Sequence, residues 1–60
     1  MNTLTVKDLE RVYDLLAEAL DQATPAKAEL FLTKLALLSA QTLGDAGVFA
    51  ELTRSALQDL

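Results

Sequence analysis

The sequence predicts an all-α fold of three short antiparallel helices, at about 6–21, 25–43 and 46–59, that pair into a dimeric helical bundle. The composition supports the helices: there are 14 leucines and 10 alanines, no isoleucine, and only two glycines and one proline. Leucine and alanine favour helices, whereas β-branched and aromatic residues favour strands. The dimer is predicted because the central helix is apolar on most of its sides, which is typical of a buried helix.

The chain length predicts a single helical domain, residues 1–60, with limited stability of its own. A chain of this size buries only about 60% of the surface that its unfolded form exposes. Small folds usually add disulfides, a metal or oligomerisation. Because the sequence contains no cysteine and no histidine, oligomerisation is the predicted source of the missing stability.

The first helix is predicted at residues 6–21, with Thr5 as its N-cap and Asp8 at the acidic position of the capping pattern. Apolar residues recur along it at steps of three and four, the spacing of one helical face. They are Leu9, Val12, Tyr13, Leu16 and Leu20. Leu15 lies beside this stripe rather than within it, and the charged residues occupy the opposite face.

The second helix, at residues 25–43, has clear predicted ends. Thr24 is a suitable N-cap, and Pro25 fits the first helical position, where its missing N–H costs nothing. Gly44 most easily adopts the left-handed conformation that ends a helix.

Two apolar stripes run along this second helix, separated on one side by a thin polar track through Lys34 and Gln41. The richer stripe is expected to pack on the other helices of the same chain, and consists of Ala28, Phe31, Leu32, Leu35 and Leu43. The narrower stripe is the predicted dimer interface, because an exposed apolar face usually marks a contact. Its members are Leu30, Thr33, Leu37 and Ala40.

The third helix is predicted at residues 46–59, with Asp45 as its N-cap and with Gly47 weakening its first turn. Its apolar face consists of Val48, Phe49, Leu52, Ala56 and Leu60. Both connections between helices are short, so consecutive helices are expected to lie side by side and antiparallel.

The residue types favour a protein that is not an enzyme, and no catalytic, cofactor-binding or metal-binding residue is predicted. Without histidine or cysteine, the usual general bases, thiol nucleophiles and zinc ligands are missing. Glu10, Asp14 and Glu18 lie four residues apart and could hold a hard cation, but a solvated helix face is the favoured interpretation. Tyr13 is expected to be a packed ring with its hydroxyl at the rim rather than an acid–base group.

The net charge of −4 indicates which partners to expect. An acidic chain repels polyphosphates, so nucleic acid is not an expected partner. The sequence shows no membrane span and no secretory signal, so the predicted location is the cytoplasm.

Four segments of the chain resemble a family of short bacterial all-helical proteins that is catalogued only as a domain of unknown function. They are DLERVYDLLAEALD (residues 8–21), ELFLTKLALL (29–38), LGD (43–45) and ALQDL (56–60). The resemblance implies a bacterial helical protein and carries no functional residue across. It also suggests a link to flavin-dependent hydroxylases of aromatic breakdown.

The leading functional hypothesis is a small non-catalytic interaction protein that forms a homodimer through the second helix. One alternative is an accessory or regulatory subunit of a larger bacterial enzyme, for example a flavin-dependent hydroxylase, with this helix in a groove of the partner. Another is a carrier of a small apolar ligand, with a cavity lined by Phe31, Phe49 and leucines.

Overall fold

The computed structural model describes residues 4–60, which form two helices and no strand. Helix α1 is Val6–Leu43 and helix α2 is Ala46–Leu57. The all-helical class is thus confirmed for this part of the chain. The three-helix organisation is not supported, because the first two predicted helices form one element with a kink inside it.

The kink in α1 lies at Thr24, whose φ of 68° and ψ of 158° are not helical. Pro25 accounts for the extended ψ, because its ring excludes the helical region for the preceding residue. The positive φ is costly for a β-branched residue. Thr24 is thus the non-helical residue before the segment that begins at Pro25, as predicted, but its φ is positive where a typical N-cap has a negative φ. We call residues 6–23 arm one and residues 25–43 arm two.

The two arms of α1 are bent sharply but do not pack on each other. A straight helix of 38 residues would be about 57 Å long, whereas the largest dimension of the molecule is 32 Å. Packed helices have axes 8–10 Å apart, which brings their nearest Cα atoms closer than 8 Å. Among the described residues, Cα atoms twelve or more positions apart all stay farther apart than that. The predicted side-by-side packing of antiparallel helices within one chain was therefore wrong.

The start of α1 follows the prediction. The Thr5 hydroxyl oxygen accepts a hydrogen bond from the backbone N–H of Asp8 at 3.0 Å. This bond satisfies one of the N–H groups that a helix start leaves without a partner.

The turn between α1 and α2 also follows the prediction. Gly44 has a φ of 71° and its N–H donates to the carbonyl oxygen of Ala40 at 2.9 Å, which closes α1. The Asp45 carboxylate accepts from the backbone N–H of Val48 at 3.0 Å, which opens α2. The predictions that Gly44 ends α1 and that Asp45 is the N-cap of α2 are both confirmed.

Helix α2 ends two residues earlier than predicted, at Leu57 rather than at position 59. The N–H of Gln58 bonds only three residues back, to the carbonyl oxygen of Ser55 at 3.2 Å. Asp59 then takes a positive φ of 58°, which is outside the right-handed helical region.

The described part of the chain has no buried residue and therefore no core of its own. The most shielded side chains are only half-buried, and they are Leu16, Ala19, Leu20, Ala23, Ala28, Phe31, Ala36, Ala40 and Phe49. Most of these are alanines, which shield little apolar surface each. Burial of apolar surface within the described residues therefore offsets little of the entropy cost of ordering the chain.

Candidate interaction surface

A first groove lies in the angle between the two arms, and we call it the elbow groove. It has a volume of about 380 Å³ and is lined only by apolar residues: Val12, Leu15, Leu16 and Ala19 from arm one, and Phe31 and Leu35 from arm two. The bend at Thr24 turns these two sets of side chains towards one space, although the arms do not close on it. Leu15, which the sequence placed beside the apolar stripe, therefore belongs to this surface.

A second groove runs along arm two, and we call it the lysine groove. It has a volume of about 320 Å³ and is lined by Ala23, Lys27, Leu30, Phe31, Lys34, Leu35 and Leu38. Lys27 and Lys34 are seven residues apart, which is two turns or about 10.5 Å along the helix axis. The lysine aliphatic stems extend the apolar lining while their charged ends stay in water.

The lysine groove was not predicted from the sequence, because the polar track through Lys34 was interpreted as solvated surface. The signal was nevertheless present in the sequence: Lys27 and Lys34 are each followed four residues later by a large apolar residue, Phe31 and Leu38. Side chains four apart lie on the same helix face. Because an apolar side chain lies beside each lysine, this side of the helix is a largely apolar groove rather than a polar surface.

The predicted interface stripe is uncovered within the single chain. Leu30 and Leu37 are 58% and 64% exposed, and Thr33 is also exposed, while Ala40 is half-buried. Leu30 also lines the lysine groove. The stripe remains a prediction for the contact between chains, and its exposure leaves it free for that contact.

The richer stripe is shielded more than the narrower one but does not form the core that was expected. Phe31 is half-buried, and Leu35 is 38% exposed. Both residues line the elbow groove opposite arm one, whereas Ala28, Leu32 and Leu43 do not. The predicted packing against arm one is incomplete, because the arms stay apart.

Two smaller predictions concern polar groups on arm one. Tyr13 is 72% exposed, so its ring is not packed against the described residues of the same chain. In the part of the chain that the structure describes, no three acidic side chains come together to form a metal site, and Glu10, Asp14 and Glu18 all lie on the exposed surface.

Within residues 4–60, neither helix combines the length and apolarity that a membrane span requires.

The surface area of the molecule is far larger than that of a compact protein of its size. A folded monomer of 6.5 kDa is expected to expose about 3,800 Å², whereas this chain exposes 5637 Å². The difference, about 1,800 Å², lies within the range of about 1,000–2,500 Å² that each partner buries in an obligate interface. The excess is thus the size of one large protein–protein contact.

No protein-family model, curated protein or solved structure matches this chain. The resemblance to short bacterial helical proteins therefore remains a prediction from the sequence.

Proposed function

We propose that this chain is a small non-catalytic interaction protein whose folded form is a homodimer. The observation that carries the proposal is the excess exposed surface, about 1,800 Å² beyond that of a compact chain of this mass. Ordering a chain costs about 1–2 kcal/mol per residue in backbone entropy alone. A chain whose described part buries no residue cannot offset that cost by itself, whereas a second copy can supply the missing burial.

Arm two is the proposed centre of the contact, with its narrower stripe facing the second copy. Leu30 and Leu37 supply exposed apolar surface there. Thr33 and Ala40 are small, which lets another helix approach closely. A symmetric dimer uses the same patch on both chains, so one such stripe is enough to build a self-complementary contact.

The same exposed surface also suits an accessory subunit of a larger enzyme, in which a foreign protein would cover arm two. A carrier of a small apolar ligand would instead use the elbow groove, whose volume lies within the range of about 300–1,000 Å³ seen for ligand pockets. The three functions differ in what completes the fold: a second copy, another protein or a ligand.

Sedimentation equilibrium and thermal melts of the purified protein over a wide concentration range test the proposal. We expect a mass twice that of the chain and a melting temperature that rises with protein concentration, because mass action favours the associated folded form. A well-folded monomer whose melting temperature does not depend on concentration would contradict the homodimer. A monomer that gains helix only with another protein or an extracted ligand would favour one of the alternatives.

A further inference from the structure

Arm one of the same chain does not cover the lysine groove. Apart from Ala23, which adjoins the kink, every residue lining it belongs to arm two. Arm one of the same chain instead faces Phe31 and Leu35 from the other side, across the elbow groove. The groove therefore presents two positive charges and an apolar floor to a different molecule.

Opposite charges on the two arms suggest what that molecule is. Arm two carries Lys27, Lys34 and Glu29, a net charge of +1, whereas arm one carries five carboxylates and two bases, a net charge of −3. A helix that fits the lysine groove needs large apolar side chains flanked by carboxylates. Arm one has that combination, and of its two apolar residues beside a carboxylate Tyr13 is 72% exposed and Leu20 is half-buried.

The spacing of the residues matches as well as the charge. In arm one, Tyr13 with Asp14 is repeated seven residues later by Leu20 with Asp21. In arm two, the lysines repeat after seven residues, and so do their apolar neighbours Phe31 and Leu38. Two helices with apolar residues and flanking charges at a period of seven can pair along their length, with the charges setting the partner.

We propose that the lysine groove of each chain binds arm one of a second copy, with Asp14 and Asp21 opposite Lys27 and Lys34. The inference rests on the proposed homodimer and specifies which surfaces meet. A two-fold axis repeats the contact, so arm one of each copy binds the lysine groove of the other copy. This contact and the narrower stripe occupy neighbouring sides of arm two, and together they cover much of its exposed apolar surface.

Charge reversal tests the pairing. One variant carries Lys27→Glu and Lys34→Glu, and a second carries Asp14→Lys and Asp21→Lys. Each variant alone places like charges across both copies of the contact, so we expect its dimer dissociation constant to rise about tenfold to hundredfold. A control with Lys7→Glu and Arg54→Glu matches the first variant in net charge but leaves Lys27, Lys34, Asp14 and Asp21 unchanged. We expect that control to stay near the wild-type constant.

Mixing the two variants separates pairing between copies from pairing within one chain. In the mixture, the acidic groove of one variant meets the basic arm of the other, and the remaining lysine groove meets the remaining acidic arm. We therefore expect a stable one-to-one heterodimer in native mass spectrometry, with helix content regained in circular dichroism. A pairing within one chain would be restored only by combining all four substitutions in a single chain.

The possible failures are distinguishable. A monomeric wild-type protein would overturn the proposed homodimer and, with it, this inference. If the wild type is a dimer but neither variant dissociates more readily than the control, the homodimer stands and the groove assignment is wrong. The same conclusion follows if both variants lose association and their mixture does not regain it.

Discussion

Thr24 and Pro25 set the angle between the two arms of α1. Pro25 requires an extended ψ of its neighbour, while the φ of 68° at Thr24 lies in a region that suits glycine far better than a β-branched residue. Such strain costs of order 1–3 kcal/mol.

Replacing Thr24 should therefore reveal the strain. Thr24→Gly removes the Cβ atom that makes this φ unfavourable, and we expect the free energy of unfolding to rise by up to about 1 kcal/mol. Ala26→Gly, inside the first turn of arm two, is the control and should lower it by about 1 kcal/mol. Urea unfolding at one protein concentration measures both. A loss of stability in Thr24→Gly would show that the φ of Thr24 is negative in solution.

The two glycines near the second turn should respond in opposite ways to alanine. Gly44 has a left-handed φ of 71° and nothing within 4 Å of the place where a Cβ would stand. Gly44→Ala should therefore cost about 1–2 kcal/mol from the backbone alone. Gly47 is helical, and its added Cβ would lie 3.3 Å from the Asp45 carboxylate oxygen.

Gly47→Ala should then be neutral or stabilising by up to about 1 kcal/mol, because alanine favours the helix and the carboxylate must move by only a few tenths of an ångström. Thermal unfolding at matched concentration compares the two variants. Equal destabilisation by both would contradict the helix end at Gly44.

Arm two is the element on which the proposed association depends. It carries leucines around most of its circumference, and both grooves and the predicted interface stripe include its residues. Helix α2, with 12 residues, is at the length where isolated helices are marginal in water. Its Leu52 is 55% exposed, so α2 also gains stability from any partner that covers this side chain.

Lysine substitutions along arm two should distinguish its faces. Leu37→Lys alters a side chain that is 64% exposed in one chain, so it should cost little until the dimer buries it. Burying an unpaired charge is expensive, and we expect the dimer dissociation constant to rise at least about hundredfold. Leu35→Lys alters both grooves, so it should remove the dimer and most of the helix signal.

Leu57→Lys is the matched control for these two variants, because Leu57 is 62% exposed and lies at the end of α2, outside both grooves. Sedimentation and circular dichroism at matched concentration provide the measurements. A Leu37→Lys protein that remains a dimer with the melting temperature of the wild type would exclude the narrower stripe from the contact.

At the scale of the whole molecule, the chain is an open arrangement of helices whose surface exceeds that of a compact protein by about half. Its dimensions are 32 × 25 × 25 Å and its radius of gyration is 12.7 Å, against about 10.4 Å expected for a compact domain of this length. Folding and association should therefore be a single transition. The concentration-dependent melt proposed above tests this property directly.

The start of α1 and the turn between α1 and α2 were predictable because they depend on residues close in sequence. The Thr5 and Asp45 side chains each bond to an N–H three residues later, and Gly44 ends α1 through its own backbone freedom. Such bonds form within one turn and need no distant partner. The all-helical class was predictable for the same reason, since leucine and alanine favour a helix through local rotamer and backbone effects.

The arrangement of the helices was decided only in the tertiary structure. The sequence marked a break at Thr24, but the angle between the arms follows from the φ of that residue, which the neighbouring residue types do not specify. That angle brings Leu15 into the elbow groove and leaves the lysine groove uncovered. A helix with leucines on most sides can pack in several ways at similar cost, so its pattern determines that it must be buried but not against which surface.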